Sequence, residues 1–236
     1  SYLESRWITD MNLLEARRVG YSDKTLRKML PSSGTLIDEL TQAGILLPDG
    51  KERFEGCVVF PVHDIEGRIL TLYGRSVKGR RHVMLPGRPV GVWNIRVVRY
   101  SSEIILTESV IDALSVLAAG IENVAAVQGT NGLSDADIRI MADYGVRRLI
   151  FLFDGDNAGR RAVLRLKRKI KGMAVSKIDL PEGHDPNSFL KDFGTERLAE
   201  LIANGREEAA PEPAKTAKDD SLPKGAAIRC EDRTYR

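Results

Sequence analysis

Apolar and polar positions alternate in blocks from about residue 102 onward. Four short apolar runs are typical of buried strands: "EIILTE", "VAAVQG", "RRLIFLFD" and "AVSKIDLP". Amphipathic segments typical of helices lie between them: "SVIDALSVLAAG", "SDADIRIMADYG" and "NAGRRAVLRLKRKIKG". We expect Gly120 to end the first helix and Ser134 to cap the second. Strand and helix alternating at these lengths predict a parallel sheet covered by helices.

The pattern before residue 100 is different. Residues 1 to about 56 predict mostly helical structure, with Ser22 as an N-cap and Gly44 as a C-cap. The segments "CVVFPVHD", "RILTLYGRSV" and "RHVMLP" are short, apolar and interrupted by Gly and Pro, and "HDIEGRI" predicts a hairpin turn. We therefore expect a small antiparallel sheet in residues 57–100.

These changes of pattern predict three regions. We expect residues 1–100 to form a mixed helical and antiparallel-sheet subdomain, and residues 101–203 to form an α/β domain with a Rossmann-like parallel sheet. Residues 204–236 include "REEAAPEPAKTAKDDSLPKG", which is polar, charged and rich in Pro and Ala. We expect them to be a flexible linker and the start of a truncated unit. Since the sequence lacks an initiator Met and stops at Arg236, we expect it to be part of a longer protein.

The distribution of charged residues along the chain is more informative than the overall composition. The formal net charge of the 236 residues is only +3, but no acidic residue interrupts the span from Arg68 to Arg99. That span holds a basic cluster of Arg68, Arg75, Lys78, Arg80, Arg81, Arg88, Arg96 and Arg99. Such clustering is typical of a surface that binds polyanions, and a solvated surface is the alternative.

The two cysteines, Cys57 and Cys230, lie far apart in the sequence. They form neither a zinc-binding spacing nor a disulfide framework, which favours a reducing cytoplasmic location. No apolar run approaches the length of a membrane span and no signal peptide is evident, so we expect no membrane partner.

Carboxylates directly follow several predicted strands. Glu108 ends "EIILTE", Asp154 and Asp156 follow the third strand, and Asp185 follows the fourth in "LPEGHDPNSF". Asp112 comes one helical turn after Glu108, so we expect both to face the same side. Because ligand sites in open parallel sheets lie beyond the carboxyl ends of the strands, we expect these acids to meet at one edge.

Clustered carboxylates repel one another and resist ionisation unless a cation compensates them. Mg²⁺ is usually held by one or two carboxylates, with water and substrate phosphates as further ligands, and two such ions can serve phosphoryl transfer. Gly155 is expected to allow a tight turn between Asp154 and Asp156. The alternative is that Asp156 or Asn157 only caps the following helix. The metal prediction therefore depends on the joint placement of the acids.

At these residues the sequence resembles a known family. "ILTESVIDAL", "AAVQGT", "LIFLFDGDNAGRRA" and "DLPEGHDPNSFL" resemble the TOPRIM domain of primases, some topoisomerases and some nucleases. "VVFPVHDIEGRILTLYGR" is similar to the segment before TOPRIM in bacterial DnaG-type primases, and the N-terminal helical segments also resemble that family. The resemblance covers roughly residues 1 to 200.

The resemblance implies DNA-templated synthesis of short RNA primers, in which ribonucleoside triphosphates are joined on single-stranded DNA and pyrophosphate is released. It implies Mg²⁺, with Mn²⁺ as an alternative, and a metal-binding cluster of Glu108, Asp112, Asp154, Asp156 and Asp185. Glu108, Asp154 and Asp156 would be catalytic. The residues expected to contact template or nucleotide are Arg75, Lys78, Arg80, Arg81, Arg88 and Arg160.

Further partners follow from the resemblance alone. Zinc would enter only through a domain that this sequence does not contain, and a replicative helicase would bind through another absent region, so we expect weak, poorly initiated activity from this chain alone. Tyr73 and Trp93 could stack on bases, although core packing is the more common role of such residues.

The sequence departs from the family pattern in three places. Asn187 stands where a second acid is common, Cys57 stands where an Arg is common, and no Lys is evident near "GVWN". Two alternatives therefore stay open. One is a TOPRIM nuclease or topoisomerase-like enzyme, although no nucleophilic Tyr is evident. The other is a degenerate, non-catalytic DNA-binding TOPRIM module of a mobile element.

Overall fold

The computed structural model describes residues 1–79, 81–87, 90–128 and 132–208. Arg80, Arg88 and the predicted linker from residue 209 lie outside the described residues. The strands are β1 (Gly20–Tyr21), β2 (Cys57–His63), β3 (Ile69–Ser76), β4 (His82–Met84), β5 (Glu103–Thr107), β6 (Val124–Ala126), β7 (Arg148–Leu152) and β8 (Ala174–Lys177). The α-helices are α1 (Met11–Ala16), α2 (Leu26–Met29), α3 (Thr35–Gln42), α4 (Val110–Ala118), α5 (Asp135–Asp143), α6 (Asn157–Lys169) and α7 (Pro186–Glu208).

The parallel sheet has the order β6-β5-β7-β8, and every neighbouring pair in it is parallel. β5 and β7 are the central strands, and they carry the most apolar runs. Both faces of a central strand are covered, so neither face needs polar residues. α4 presents buried residues throughout Val110–Leu117, and α7 is broken at Gly194, where φ is 86°. The predicted α/β fold class is confirmed.

The antiparallel sheet has the order β1-β2-β3-β4. The hairpin predicted at "HDIEGRI" is confirmed, because the Asp64 backbone N–H donates to the Arg68 carbonyl at 2.9 Å. Gly67 supplies the positive φ of this turn, at 92°. The strand pairing places Arg75 opposite Val58 and next to His82.

One apolar core joins the two sheets. It includes Phe60, Tyr73 and Trp93 from the first hundred residues, together with Ile105 and Ile150 from the parallel sheet. Tyr73 is 6% exposed and Trp93 is 2% exposed. Both are therefore core residues, and neither ring is available to stack on a nucleic-acid base. Packing is continuous across residue 100, and the domain boundaries stay a prediction.

The helix ends test the local predictions. Gly44 and Gly120 follow their helices with φ of 81°, and Ser134 caps α5 in a reciprocal capping box with Asp137. These predictions are confirmed.

The prediction for Ser22 is wrong. Its hydroxyl donates to Glu52, which also accepts the Arg27 backbone N–H at 3.0 Å at the start of α2. The carboxylate of Glu52, which is distant in sequence, therefore caps the start of α2. The local sequence pattern around α2 does not predict this contact.

Three further elements were not predicted from the sequence: the edge strand β1, a 3₁₀-helix at Ile95–Arg99 and the long helix α7. Among the described helices, none has both the length and the apolar composition needed to cross a membrane.

Candidate active site

The turn after β7 carries Asp154, Gly155 and Asp156. The Gly155 backbone N–H donates to the His184 carbonyl at 2.8 Å, and a Cβ on Gly155 would lie 2.4 Å from the Pro181 carbonyl oxygen. Gly155 does not have a positive φ in this structure, so the expectation of a tight turn gave the wrong reason for this glycine. It is required because the loop after β8 lies directly against it. That close approach joins the Asp154 turn to the loop that leads to Asp185.

Glu108 lies against the same turn. Its carboxylate accepts the Asp154 backbone N–H at 3.3 Å. A Cβ on Gly159 would lie 2.5 Å from the Asp154 carbonyl oxygen and 3.2 Å from the Glu108 carboxylate. Glycine in the first turn of α6 therefore leaves the space that Glu108 occupies.

Asp156 and Asp185 both cap helices. Asp156 accepts the Gly159 backbone N–H at 2.7 Å, and Asp185 accepts the Ser188 backbone N–H at 2.5 Å. The alternative interpretation of Asp156 as an N-cap is thus confirmed. In each residue the cap uses one carboxylate oxygen, so capping is compatible with a second role.

Asp112 lies deeper than the other acids, with 4% of its surface exposed. Its carboxylate accepts the Ser109 hydroxyl at 2.5 Å and the Asn187 backbone N–H at 3.4 Å. The Asn187 side chain, 1% exposed, donates to the Arg6 carbonyl at 2.8 Å and to the Ser115 hydroxyl at 2.9 Å. Asn187 thus links the N-terminal segment to the floor of the acidic cluster.

The pKa values show that the acids interact. Burial raises the pKa of Glu108 to about 7, and the charges of Asp154 and Asp156 add to the rise. Burial raises the pKa of Asp154 to about 6, with contributions from Asp185 and Asp156. Burial likewise raises the pKa of Asp112 to about 8, reinforced by Asp185 and Asp154. The structure therefore brings all five predicted acids into one electrostatic group.

The five acids form no ion pair with a basic side chain in the part of the chain that the structure describes. In the described ranges, no Lys, Arg or His forms an ion pair with any of the five acids. The same ranges contain no set of three His, Cys, Asp or Glu side chains close enough to hold a metal ion by themselves. This arrangement fits a cation such as Mg²⁺, which takes one or two carboxylates and completes its shell with water and phosphate oxygens.

Arg75 lies on β3, two residues after Tyr73. One of its terminal guanidinium nitrogens contacts His82 Nε2, and His82 Nδ1 lies 2.8 Å from the Tyr73 hydroxyl. Burial raises the pKa of Tyr73, and the Asp112 charge contributes, which places Tyr73 within electrostatic reach of the cluster. Tyr73 and Arg75 share one face of β3, and the Asp112 charge acts on Tyr73.

The other predicted basic residues are distributed more widely. Lys78 is exposed after β3, and Arg81 donates to the Glu55 carbonyl at 2.9 Å and lies 3.7 Å from the Cys57 sulfur. Arg160 lies beside the acidic turn, with a guanidinium nitrogen 3.4 Å from the Gly155 carbonyl oxygen. Their roles stay predictions.

Comparison with known proteins identifies this arrangement. Residues 105–190 match the Toprim-like family. A DNA primase of Aquifex aeolicus is 30% identical over 241 residues, covering 93% of this chain and 47% of that protein. A DNA primase of Staphylococcus aureus (strain COL) is 27% identical, covering 93% of this chain and 40% of the relative. The chain thus spans less than half the length of these curated relatives.

The fold agrees with the sequence match. The crystal structure of a DNA primase domain from Pseudomonas aeruginosa superposes with a TM-score of 0.72 at 28% identity, covering 86% of this chain and 70% of that structure. The chain has the fold of the DnaG catalytic core and is similar in sequence to DNA primases. In this fold, the predicted acids lie at the carboxyl ends of β5, β7 and β8.

Sequence reasoning missed several residues that support the site. Gly159 had a detectable signal, because glycine is unfavourable inside a helix and its presence there indicates a close approach. Asn187 was noted only as a missing acid, whereas its amide has buried partners. Arg6 and His82 gave no signal, because their contacts depend on segments that meet only in the fold.

Proposed function

We propose that this chain synthesises short RNA primers on single-stranded DNA by Mg²⁺-dependent nucleotidyl transfer during replication. The observation that carries the proposal is the convergence of Glu108, Asp154 and Asp156, in which burial and neighbouring carboxylates raise the pKa of Glu108 and of Asp154. Among the described residues, no Lys, Arg or His forms an ion pair with these acids. Such a group is costly to the fold unless a cation binds.

Each acid has a distinct place in the proposal. Asp154, Asp156 and Asp185 would hold Mg²⁺, which when bound neutralises the triphosphate and lowers the pKa of the attacking hydroxyl. Glu108 would either ligate the ion or accept a proton, since its pKa of about 7 lies near working pH. Asp112 is the most enclosed of the five, and its role as a ligand stays a prediction.

The basic residues would hold the phosphates of template and nucleotide. Arg75 is proposed for this role because it shares a face of β3 with Tyr73, on which the Asp112 charge acts. Phosphate contacts of this kind give affinity that falls steeply with salt and carries no sequence information. Lys78, Arg81 and Arg160 would extend the surface, and a helicase would bind outside this chain.

A primer-synthesis assay on single-stranded DNA with Mg²⁺ or Mn²⁺ tests the proposal. We expect Asp154→Ala and Asp156→Ala each to lower product formation by about 100-fold or more, a loss typical of removing a group that stabilises transition-state charge. Asp143→Asn, an exposed acid at the end of α5, is the matched control and should keep full activity. Unchanged products in both alanine variants would falsify the catalytic assignment, and cleavage of the template without primer products would favour a TOPRIM nuclease.

A further inference from the structure

A cavity of about 700 Å³ opens at the edge of the parallel sheet opposite to the acids. Ser101 and Asn123 line it, and these residues directly precede β5 and β6. The other walls come from the segment after α1, the β2–β3 hairpin and the 3₁₀-helix at Ile95–Arg99. The cavity therefore lies at the amino ends of the strands, away from the candidate active site.

Two guanidinium groups line this cavity, those of Arg18 and Arg96. Within the described part of the chain, the side chains of Arg18 and Arg96 form no hydrogen bond and no ion pair. Both lie near His63, whose pKa is lowered by burial first and then by the charges of Arg18 and Arg96. The Arg96 guanidinium also lies against the hairpin turn, since a Cβ on Gly67 would be 3.3 Å from its Cζ.

The acid in the cavity wall does not compensate these charges. Glu122 is the one carboxylate among the lining residues, and Arg17 already pairs with it at 2.9 Å. Arg17 also donates to the Asn94 side chain at 3.1 Å, while its Nε is buried and has no hydrogen-bond partner. The cavity therefore carries a net positive charge, which a bound anion would compensate.

The volume of the cavity and the groups that line it indicate which class of anion it would bind. A volume of about 700 Å³ lies within the range of small-molecule and cofactor sites. Guanidinium groups suit phosphate oxygens, because their planar N–H donors match that geometry. Tyr100 lines the same cavity and is 79% exposed, which offers a ring on which a base can stack.

We propose that this cavity binds a nucleotide through its phosphates, with Arg18 and Arg96 as the phosphate contacts and Tyr100 beside the base. The phosphate belongs either to a free nucleotide or to a nucleic-acid strand that crosses the cavity. This site goes beyond the proposed function, because it uses none of the acids and stands whether or not they are catalytic.

Calorimetric titration with ADP in EDTA tests the site, since removing divalent cations excludes binding that needs a metal at the acids. We expect wild-type protein to bind ADP, adenosine to bind at least about tenfold more weakly, and Arg18→Gln/Arg96→Gln to weaken ADP binding by about tenfold or more. Arg99→Gln is the matched control, because Arg99 lies on the same 3₁₀-helix but its guanidinium lies 5.7 Å from the Tyr144 ring centroid. Its ADP affinity should stay unchanged.

A second measurement does not require the double variant to fold. The chain has three histidines, so the imidazole NMR signal of His63 is identified by its loss in His63→Gln. We expect ADP to shift this signal in wild-type protein and to leave that of His184 in place.

Titration with a short oligothymidylate separates the two sources of phosphate. Binding of ADP that depends on Arg18 and Arg96 supports a free nucleotide, and binding of the oligonucleotide alone with the same dependence supports a strand. If neither probe binds, or if the double variant binds both as wild type does while the His63 signal stays still, the proposal is overturned.

Discussion

The two edges of the parallel sheet collect charges of opposite sign. At the carboxyl edge, burial and the charges of Asp185 and Asp156 raise the pKa of Asp154, whereas at the amino edge burial and the charges of Arg18 and Arg96 lower the pKa of His63. In both places burial is the largest cause, and like charges add to it. The same physical effect therefore indicates a cation site at one edge and an anion site at the other.

The edges differ in how the chain builds them. Glu108, Asp154, Asp156 and Asp185 come from the connections between a strand and the next helix, and Asp112 lies in the first turn of α4. The amino edge is assembled from α1, a hairpin and a 3₁₀-helix that are distant in sequence. The carboxyl edge is thus built by the repeating strand-to-helix connection, and the amino edge by packing between the two sheets.

The largest expected effect is at the carboxyl edge. Gly159→Ala should lower the free energy of unfolding by about 3 kcal/mol, because the added Cβ would lie 2.5 Å from the Asp154 carbonyl oxygen. Urea unfolding measures the change. Gly20→Ala is the matched control, since a Cβ there meets nothing within 4 Å, and it should be nearly neutral. Equal stability of the two variants would show that α6 does not press on Glu108 as described.

The positions of these acids could be predicted from sequence for a physical reason. A strand covered on both faces must be apolar, so the first charged residue after it marks its end. Glu108 and Asp154 are such residues, and a parallel sheet brings the ends of its strands to one edge. The close approaches at Gly155 and Gly159 could not be predicted in detail, because they depend on which loops become neighbours.

The second effect concerns the link between the N-terminal segment and the acids. Asn187→Asp should lower the free energy of unfolding by about 2 kcal/mol at pH 8, because a carboxylate cannot donate to the Arg6 carbonyl and adds charge near Asp112. Asn204 is an exposed residue on the same helix, so Asn204→Asp controls for the replacement of an amide by a carboxylate. If both variants melt at the same temperature as wild type, the buried amide is not a structural link.

The contacts of Asn187 and the amino-edge cavity could not be predicted from the sequence. Asn187 meets Arg6 across 181 positions, and Arg17 meets Asn94 across 77, so no local pattern encodes either contact. The uninterrupted basic span includes Arg96, but Arg18 lies outside that span. Its contribution becomes visible only when the two sheets pack together.

The third effect is a pH dependence of the metal-free protein. Folding raises the pKa of Asp154 from 3.8 to about 6, so the folded state holds this proton more tightly than the unfolded chain does. The stabilisation is therefore present below about pH 4 and is lost as the pH rises through about 6. Asp154→Asn cannot ionise, and in EDTA it should be more stable than wild type by about 1 kcal/mol at pH 8, after allowance for partial exposure.

The same urea series at pH 4 is the reference for this prediction. There the advantage of Asp154→Asn should largely disappear, because wild-type Asp154 is mostly protonated. Asp143→Asn should show no such trend. A constant difference between Asp154→Asn and wild type at both pH values would contradict the electrostatic coupling.

The smallest expected effect is a shift in the pKa of His63 at the amino edge of the parallel sheet. Arg18→Gln should raise the pKa of His63 by a few tenths of a unit, because it removes one of the two positive charges that lower it. An NMR titration of the His63 imidazole measures the shift, and Arg99→Gln should leave it unchanged. Asp64 acts in the opposite direction, so Asp64→Asn should lower the pKa of His63.

Binding of Mn²⁺, followed by electron paramagnetic resonance with and without ATP, tests the central claim most directly. Because no three side chains in the described residues form a closed metal cage, we expect weak Mn²⁺ binding by the protein alone and tighter binding when ATP adds phosphate oxygens. Glu108→Gln and Asp154→Asn should lose the ATP-dependent binding, and Asp143→Asn should keep it. If all four proteins bind Mn²⁺ equally in the presence of ATP, the acids at the carboxyl edge are not a metal site.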